Sequence, residues 1–186
     1  MVESKLDFTF LDPAIKFDET RFYEIFKSYL PNGKGVDFLS INRDAFMMLE
    51  VKNCAGYERE NIWRTKTDFV NENGEESFDI EVAKKVAGTL ACLTGAGVAY
   101  NLGEADELKP YFQELTSKKY EKGKKVLQII LFLEGDFGCK TRTKKMIMKR
   151  IRDKLSEKLK WLNCTVRVVD FDTYNRKGYS VEKVIV

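Results

Sequence analysis

The chain of 186 residues contains no histidine. That absence removes Ser-His-Asp and Cys-His nucleophile pairs, histidine-ligated zinc and nucleases with a histidine general base. Any chemistry must run on carboxylates, lysines, thiols or hydroxyls. Proline is scarce, at 3 residues, and no Pro/Ser/Gly-rich stretch marks a linker, so residues 1–186 are expected to fold as a single domain. The four cysteines, Cys54, Cys92, Cys139 and Cys164, are scattered without a Cys-x-x-Cys. They suggest neither a zinc site nor a disulfide framework, and buried free thiols in a reducing compartment are the plainer reading. No apolar run approaches the ~20 residues of a membrane span. The N-terminus, Met-Val-Glu-Ser-Lys-Leu-Asp, is polar and acidic where a signal peptide is basic and then apolar. The expected compartment is the cytoplasm, with no membrane partner.

Hydrophobic residues make up 44% of the chain and charged ones 33%, the balance of a globular domain able to bury a core. A net charge of +3 is too mild to indicate a nucleic-acid partner by itself. Its distribution says more. From Lys140 to Lys160 there are ten Lys or Arg residues, Lys144, Lys145 and Lys149 among them, against only Asp153 and Glu157. Such a segment attracts a phosphate backbone with a salt-sensitive affinity; the bland alternative is a solvated helix face. Arg59, Arg64 and Lys66 form a second, smaller group of cations in a polar stretch, residues 54–77, that reads as irregular, with room for a short strand or helical turn.

Periodicity assigns the remaining elements. Lys5 to Phe10 alternates like a short strand, and Asp12-Pro13 stops it. Asp18 is placed to cap a helix whose Phe22, Ile25, Phe26, Tyr29 and Leu30 share a face, until Pro31-Asn32-Gly33 ends it. From Phe78 to about Tyr100 the apolar spacing is helical, and Ala83, Ala87, Gly88 and Ala91 would let that helix lie close to a sheet. A more polar helix is expected over 104–119. Val126 to Leu133 is continuously apolar, as in a strand covered on both faces. Thr143 to Leu162 reads as a charged helix, Cys164 to Phe171 as a strand, and Tyr179 to Val186 as an edge strand. This order predicts a mixed α/β domain around one central sheet.

The hairpin between Val36 and Asn53 carries the chemistry. Two apolar strands flank a turn near Asn42-Arg43-Asp44, yet Asp37, Glu50 and Lys52 interrupt them. Strand side chains alternate, so Phe46, Met48, Glu50 and Lys52 lie on one face, and Asp37 is about as far before the turn as Glu50 to Lys52 are after it. The three charges can converge. Buried carboxylates need a counter-charge or a metal. Two of them about a cavity's width apart suit a hard cation such as Mg2+, and a lysine beside them can assist a metal-bound water or neutralise a phosphate oxygen.

Asp37 in one strand, then Glu50-Val51-Lys52 near the end of the next, resembles the PD-(D/E)XK nuclease-like superfamily. Val36 stands where that motif has proline. The resemblance implies a restriction-endonuclease-like fold, with a central mixed sheet flanked by helices. It implies a Mg2+ or Mn2+ ion held by Asp37 and Glu50, with the Val51 carbonyl as a further ligand and Lys52 as the catalytic lysine. Some members add a glutamate from the first helix; at 100° per residue Glu19 lies nearer the apolar face than Glu24, and it is the expected ligand. Many members dimerise, so a homodimer is compatible with the resemblance.

The expected activity is therefore metal-dependent phosphodiester hydrolysis on nucleic acid, DNA before RNA. Arg59, Arg64, Lys66, Lys144, Lys145 and Lys149 are the candidate phosphate contacts. The alternative is an inactive module of the same fold that binds nucleic acid or a protein. Asp136-Phe137-Gly138 copies a kinase tripeptide without any other kinase element, and Gly95-Ala96-Gly97 follows a helical pattern where a dinucleotide site needs a strand. Trp63 and Trp161 read as packing residues.

Overall fold

The computed structural model describes residues 1–99, 103–120, 123–138 and 141–184, without the side chains of residues 141 and 142. In chain order the strands are β1 (Val2–Glu3), β2 (Leu6–Phe10), β3 (Ala14–Lys16), β4 (Phe38–Ile41), β5 (Ala45–Asn53), β6 (Val126–Glu134), β7 (Cys164–Val169) and β8 (Tyr179–Lys183). The helices are α1 (Arg21–Tyr29), α2 (Glu58–Asn61), α3 (Phe78–Val98), α4 (Lys109–Leu115) and α5 (Thr141–Lys158). Tyr100, Cys139 and the last two residues of the expected C-terminal strand lie outside the described residues. Among the described residues no helix is long and apolar enough to cross a membrane.

The architecture is mixed α/β. A five-stranded sheet runs β3-β4-β5-β6-β7, antiparallel through the β3-β4-β5 meander and parallel from β5 to β7. A second sheet, β1-β2-β8, is antiparallel. One central sheet was expected, and the difference traces to Tyr179 and Val181: they join Leu6 and Phe8 in an apolar cluster, so the C-terminal strand pairs with β2.

The period-2 alternation of β5 divides the core. Phe46 and Met48 face helices, packing with Val82, Val86 and Leu93 of α3 and Ile151 and Leu155 of α5. Met47, Leu49 and Val51 face the small sheet, together with Phe8, Phe38 and Phe132. Strand β6 contributes Ile129, Leu131 and Leu133 to one cluster and Ile130 and Phe132 to the other, which is why its sequence is apolar without a break.

Two local details position the site. Helix α1 is capped by Thr20, whose Oγ1 accepts the Tyr23 N–H at 3.4 Å. Asp18 lies earlier, in a 3-10 turn over Phe17–Glu19. On α3, Gly88 meets the chain leading into β4: a Cβ there would stand 2.0 Å from the Lys34 carbonyl oxygen. That close approach lets Thr89 Oγ1 accept the Val36 N–H at 3.0 Å, pinning residues 34–36 to the helix.

Cys54 and Cys92 are buried free thiols, raised by burial to about 11 and about 12 respectively, and Cys164 is free and half-buried. Trp63 packs edge-on against Phe69, while Trp161 is largely exposed.

Candidate functional site

Strand register brings the hairpin charges together. Phe38 pairs with Leu49, so Asp37, one residue before β4, stands across from Glu50 on the face turned to α3. Glu50 is fully buried and Asp37 is 5% exposed. Asp37 Oδ2 accepts the Val51 N–H at 2.6 Å, and a strand residue turns its carbonyl to the same edge as its N–H. The Val51 carbonyl therefore faces the Asp37 side of β5.

Helix α3 supplies two further groups that the sequence reading missed. Glu81 and Lys85 are spaced i, i+4 and share the buried face of Phe78, Val82, Val86 and Thr89. Lys85 Nζ lies 2.6 Å from Glu50 Oε1 and 3.5 Å from Asp37 Oδ1, bridging the two carboxylates. Lys52 Nζ lies 2.9 Å from the same Glu50 oxygen and 3.1 Å from Glu81 Oε1. Arg64 pairs with Glu81 Oε2 and stacks 4.5 Å over the Phe78 ring. Two charged residues one helical turn apart within an apolar stripe were the available signal for this half of the site.

Asp37, Glu50 and Glu81 thus face Lys52, Lys85 and Arg64, and the charges balance. Burial and the neighbouring Glu50 charge push the Asp37 carboxyl up, against the pull of Lys85 and the Val51 N–H, to about 7. For Lys85, burial works against the ammonium, but the charges of Glu50 and Asp37 outweigh it and hold its pKa above the ordinary lysine value. Burial of Glu81 is likewise outweighed by Lys52 and Arg64, which lower its pKa.

Asp37 also joins a second acidic group: oxygens of Glu3, Asp18 and Asp37 lie within 4.8 Å of one another. Glu19 does not take part. Its side chain is 66% exposed and bonds Lys16 at 2.5 Å. The reason is the 3-10 geometry over residues 17–19, with about three residues per turn, which shifts the phase computed for an α-helix and turns Asp18 inward instead.

The expected phosphate contacts are dispersed. Arg64 is committed to Glu81. Lys144 is tied to the buried Asp170 at 2.7 Å, and Lys158 binds Asp68 and Asp79. Lys145 and Lys149 are exposed on α5, Arg59 is exposed on α2, and Lys66 lies over the Phe69 ring. A groove of about 630 Å³ borders the site at Arg64 and Glu81, where Lys34 is its other cation and Glu60, Glu75 and Glu76 add acid.

The groups around the Lys85 ammonium are oxygen donors of the kind a hard divalent ion would take. Asp37 and Glu50 offer carboxylate oxygens from adjacent strands, the Val51 carbonyl faces the same edge, and Glu50 Oε2 is enclosed without a hydrogen-bond partner among the described residues. A site that already accepts an ammonium between two carboxylates has the field a cation requires.

The chain belongs to a family of unknown function (DUF6661), whose model matches residues 20–183. No curated protein and no solved structure matches it.

Proposed function

We propose that this member of a family of unknown function is a metal-dependent phosphodiester hydrolase of nuclease-like type, with Asp37 and Glu50 holding Mg2+ or Mn2+ where Lys85 now lies. The observation that carries the reading is the meeting of Asp37, Glu50 and Lys52 on one face of neighbouring strands, with a cation already bridging the two acids. The topology supports it: an antiparallel meander, then α3, then a parallel strand beside β5, as in a restriction-endonuclease-like core. Here β3 precedes the first helix and pairs with β4, a departure from the superfamily's usual order, in which a strand follows that helix.

When bound, the ion supplies a Lewis acid that polarises a phosphate oxygen and lowers the pKa of its water. The chain's own groups do the rest. Lys85 vacates its place by rotating a flexible four-carbon stem. Lys52, released from Glu50, stays anchored by Glu81 and directs its ammonium toward the phosphate and the attacking water. Arg64 holds Glu81 in turn.

A second reading is the inactive module that binds nucleic acid or a protein: the balanced charge of the cluster favours inactivity, and the acidic groove beside it favours a protein partner over a phosphate backbone. One experiment separates them: Mn2+ titration followed by calorimetry, with nicking of plasmid DNA and cleavage of labelled RNA in parallel. The hydrolase reading expects Mn2+ binding and cleavage, both lost in Glu50→Gln. Absence of Mn2+ binding in both wild type and Lys85→Met sinks it.

A further inference from the structure

A cavity of about 450 Å³ lies on the other face of the large sheet, at the start of its parallel strands. Register decides what lines it. Met47, Gln128 and Thr165 occupy one row across β5, β6 and β7, and Leu49, Ile130 and Arg167 the next. The small sheet covers the far end of this face but leaves the near end open, where the β4–β5 turn and residues 175–179 wall the space. Its floor is apolar: Met47, Ile130, Val169 and Tyr179 are all at least nine-tenths buried. The volume is that of a small-molecule site.

Polar residues break the apolar pattern only where the cavity opens. Arg167 follows buried Val166 and precedes Val168 and Val169, yet lines the cavity beside Tyr179. Arg43 on the β4–β5 turn and Lys177 line the same cavity. Among the described residues none of these three cations has a carboxylate within ion-pair distance, in contrast to Lys144, Lys154 and Lys158 on α5. Asp12 and Asp44 also line the rim, where they can accept hydrogen bonds from hydroxyl groups.

The geometry points to a binding site for a small phosphate monoester with a flat or apolar body and free hydroxyls, of the size of a mononucleotide. Two guanidinium forks and an ammonium suit a phosphate, because each fork can donate two parallel hydrogen bonds. The buried floor takes the body, and the rim acids take the sugar hydroxyls. This site is independent of the carboxylate cluster: Met47 and Glu50 point to opposite faces of β5.

Calorimetric titration of the intact protein with adenosine 5′-monophosphate, inorganic phosphate and adenosine tests it. The expected result is a monophosphate dissociation constant of roughly millimolar or tighter, with each half-ligand at least about tenfold weaker. Arg167→Gln and Arg43→Gln, both at exposed positions, should each weaken the monophosphate about tenfold or more at an unchanged melting temperature. Lys118→Gln, exposed and outside the cavity lining, should not change it. If one arginine variant melts early, the other and Lys177→Gln carry the test. No heat with adenosine 5′-monophosphate, or binding that survives both arginine substitutions, overturns the assignment.

Discussion

Replacing Lys85 with methionine tests the centre of the site, because it keeps an unbranched apolar stem and removes the ammonium with its charge and donors. In the wild type this ammonium is 2.6 Å from a fully buried Glu50 and 3.5 Å from a nearly buried Asp37. Removing one partner of a buried cluster costs about 3–5 kcal/mol, since Asp37 loses its ammonium and Glu50 keeps only Lys52. At about 2–4 °C per kcal/mol for a chain of this size, the melting temperature in chelator should fall by roughly 6–20 °C. The sign of the pH dependence follows from Asp37. Its pKa, already about 7 with Lys85 present, rises further without it. Near pH 5 Asp37 is protonated with or without Lys85, so the penalty is smaller there, and it grows as pH rises above 7. Added Mn2+ meets no competing ammonium in the variant, and an ion at a hundred times its dissociation constant returns about 2.7 kcal/mol, or roughly 5–11 °C. Thermal melts of wild type, Lys85→Met and Lys85→Met/Glu50→Gln, each with chelator and with Mn2+, read all of this. A Lys85→Met protein that melts with the wild type, or gains nothing from Mn2+, refutes the reasoning.

Three further outcomes are expected. For Asp37 the folded pKa, about 7, lies above the ordinary value of 3.8, so the native state holds the extra proton between them and this group's contribution to stability falls as pH rises through that window; Asp37→Asn should match the wild type near pH 4 and melt above it near pH 8. Gly88→Val should cost about 1–3 kcal/mol or more, because its Cβ would meet the Lys34 carbonyl at 2.0 Å, and displacing residues 34–37 should also weaken Mn2+ binding, read by the same titration. Lys144 and Lys149 should behave differently despite sharing a helix: burial of Asp170 is outweighed by Lys144 and Thr173, which lower its pKa, so Lys144→Met should lose stability at pH 7 and less of it as pH falls toward the carboxylate range, whereas Lys149→Glu should leave the melt unchanged and reduce only salt-sensitive retention on DNA.

Much of the hairpin was legible because a strand's period is two. Once the turn near Asn42 was placed, alternation put Glu50 and Lys52 on one face, and counting back from the turn put Asp37 opposite them. The misreading of Glu19 has a local cause as well: the helix was started at Asp18, and a 3-10 turn there rotates the acids relative to an α-helical wheel. Lys144 was misjudged for a different reason. Its ion pair with Asp170 joins residues 26 positions apart in sequence, and no pattern along one helix reveals it.

The order of polar and apolar residues alone determined that this chain builds a mixed α/β domain with a buried, charge-bearing hairpin at its centre. Only tertiary packing decided what that hairpin meets. Gly88 lets α3 close onto the chain before β4, so Lys85 and Glu81 arrive from elsewhere in the sequence to neutralise Asp37, Glu50 and Lys52. The second sheet covers one end of the opposite face and leaves Arg167 in an open cavity at the other. Alternation is a short-range property that any strand must obey, whereas the partner of a buried charge is set by which distant surface packs against it.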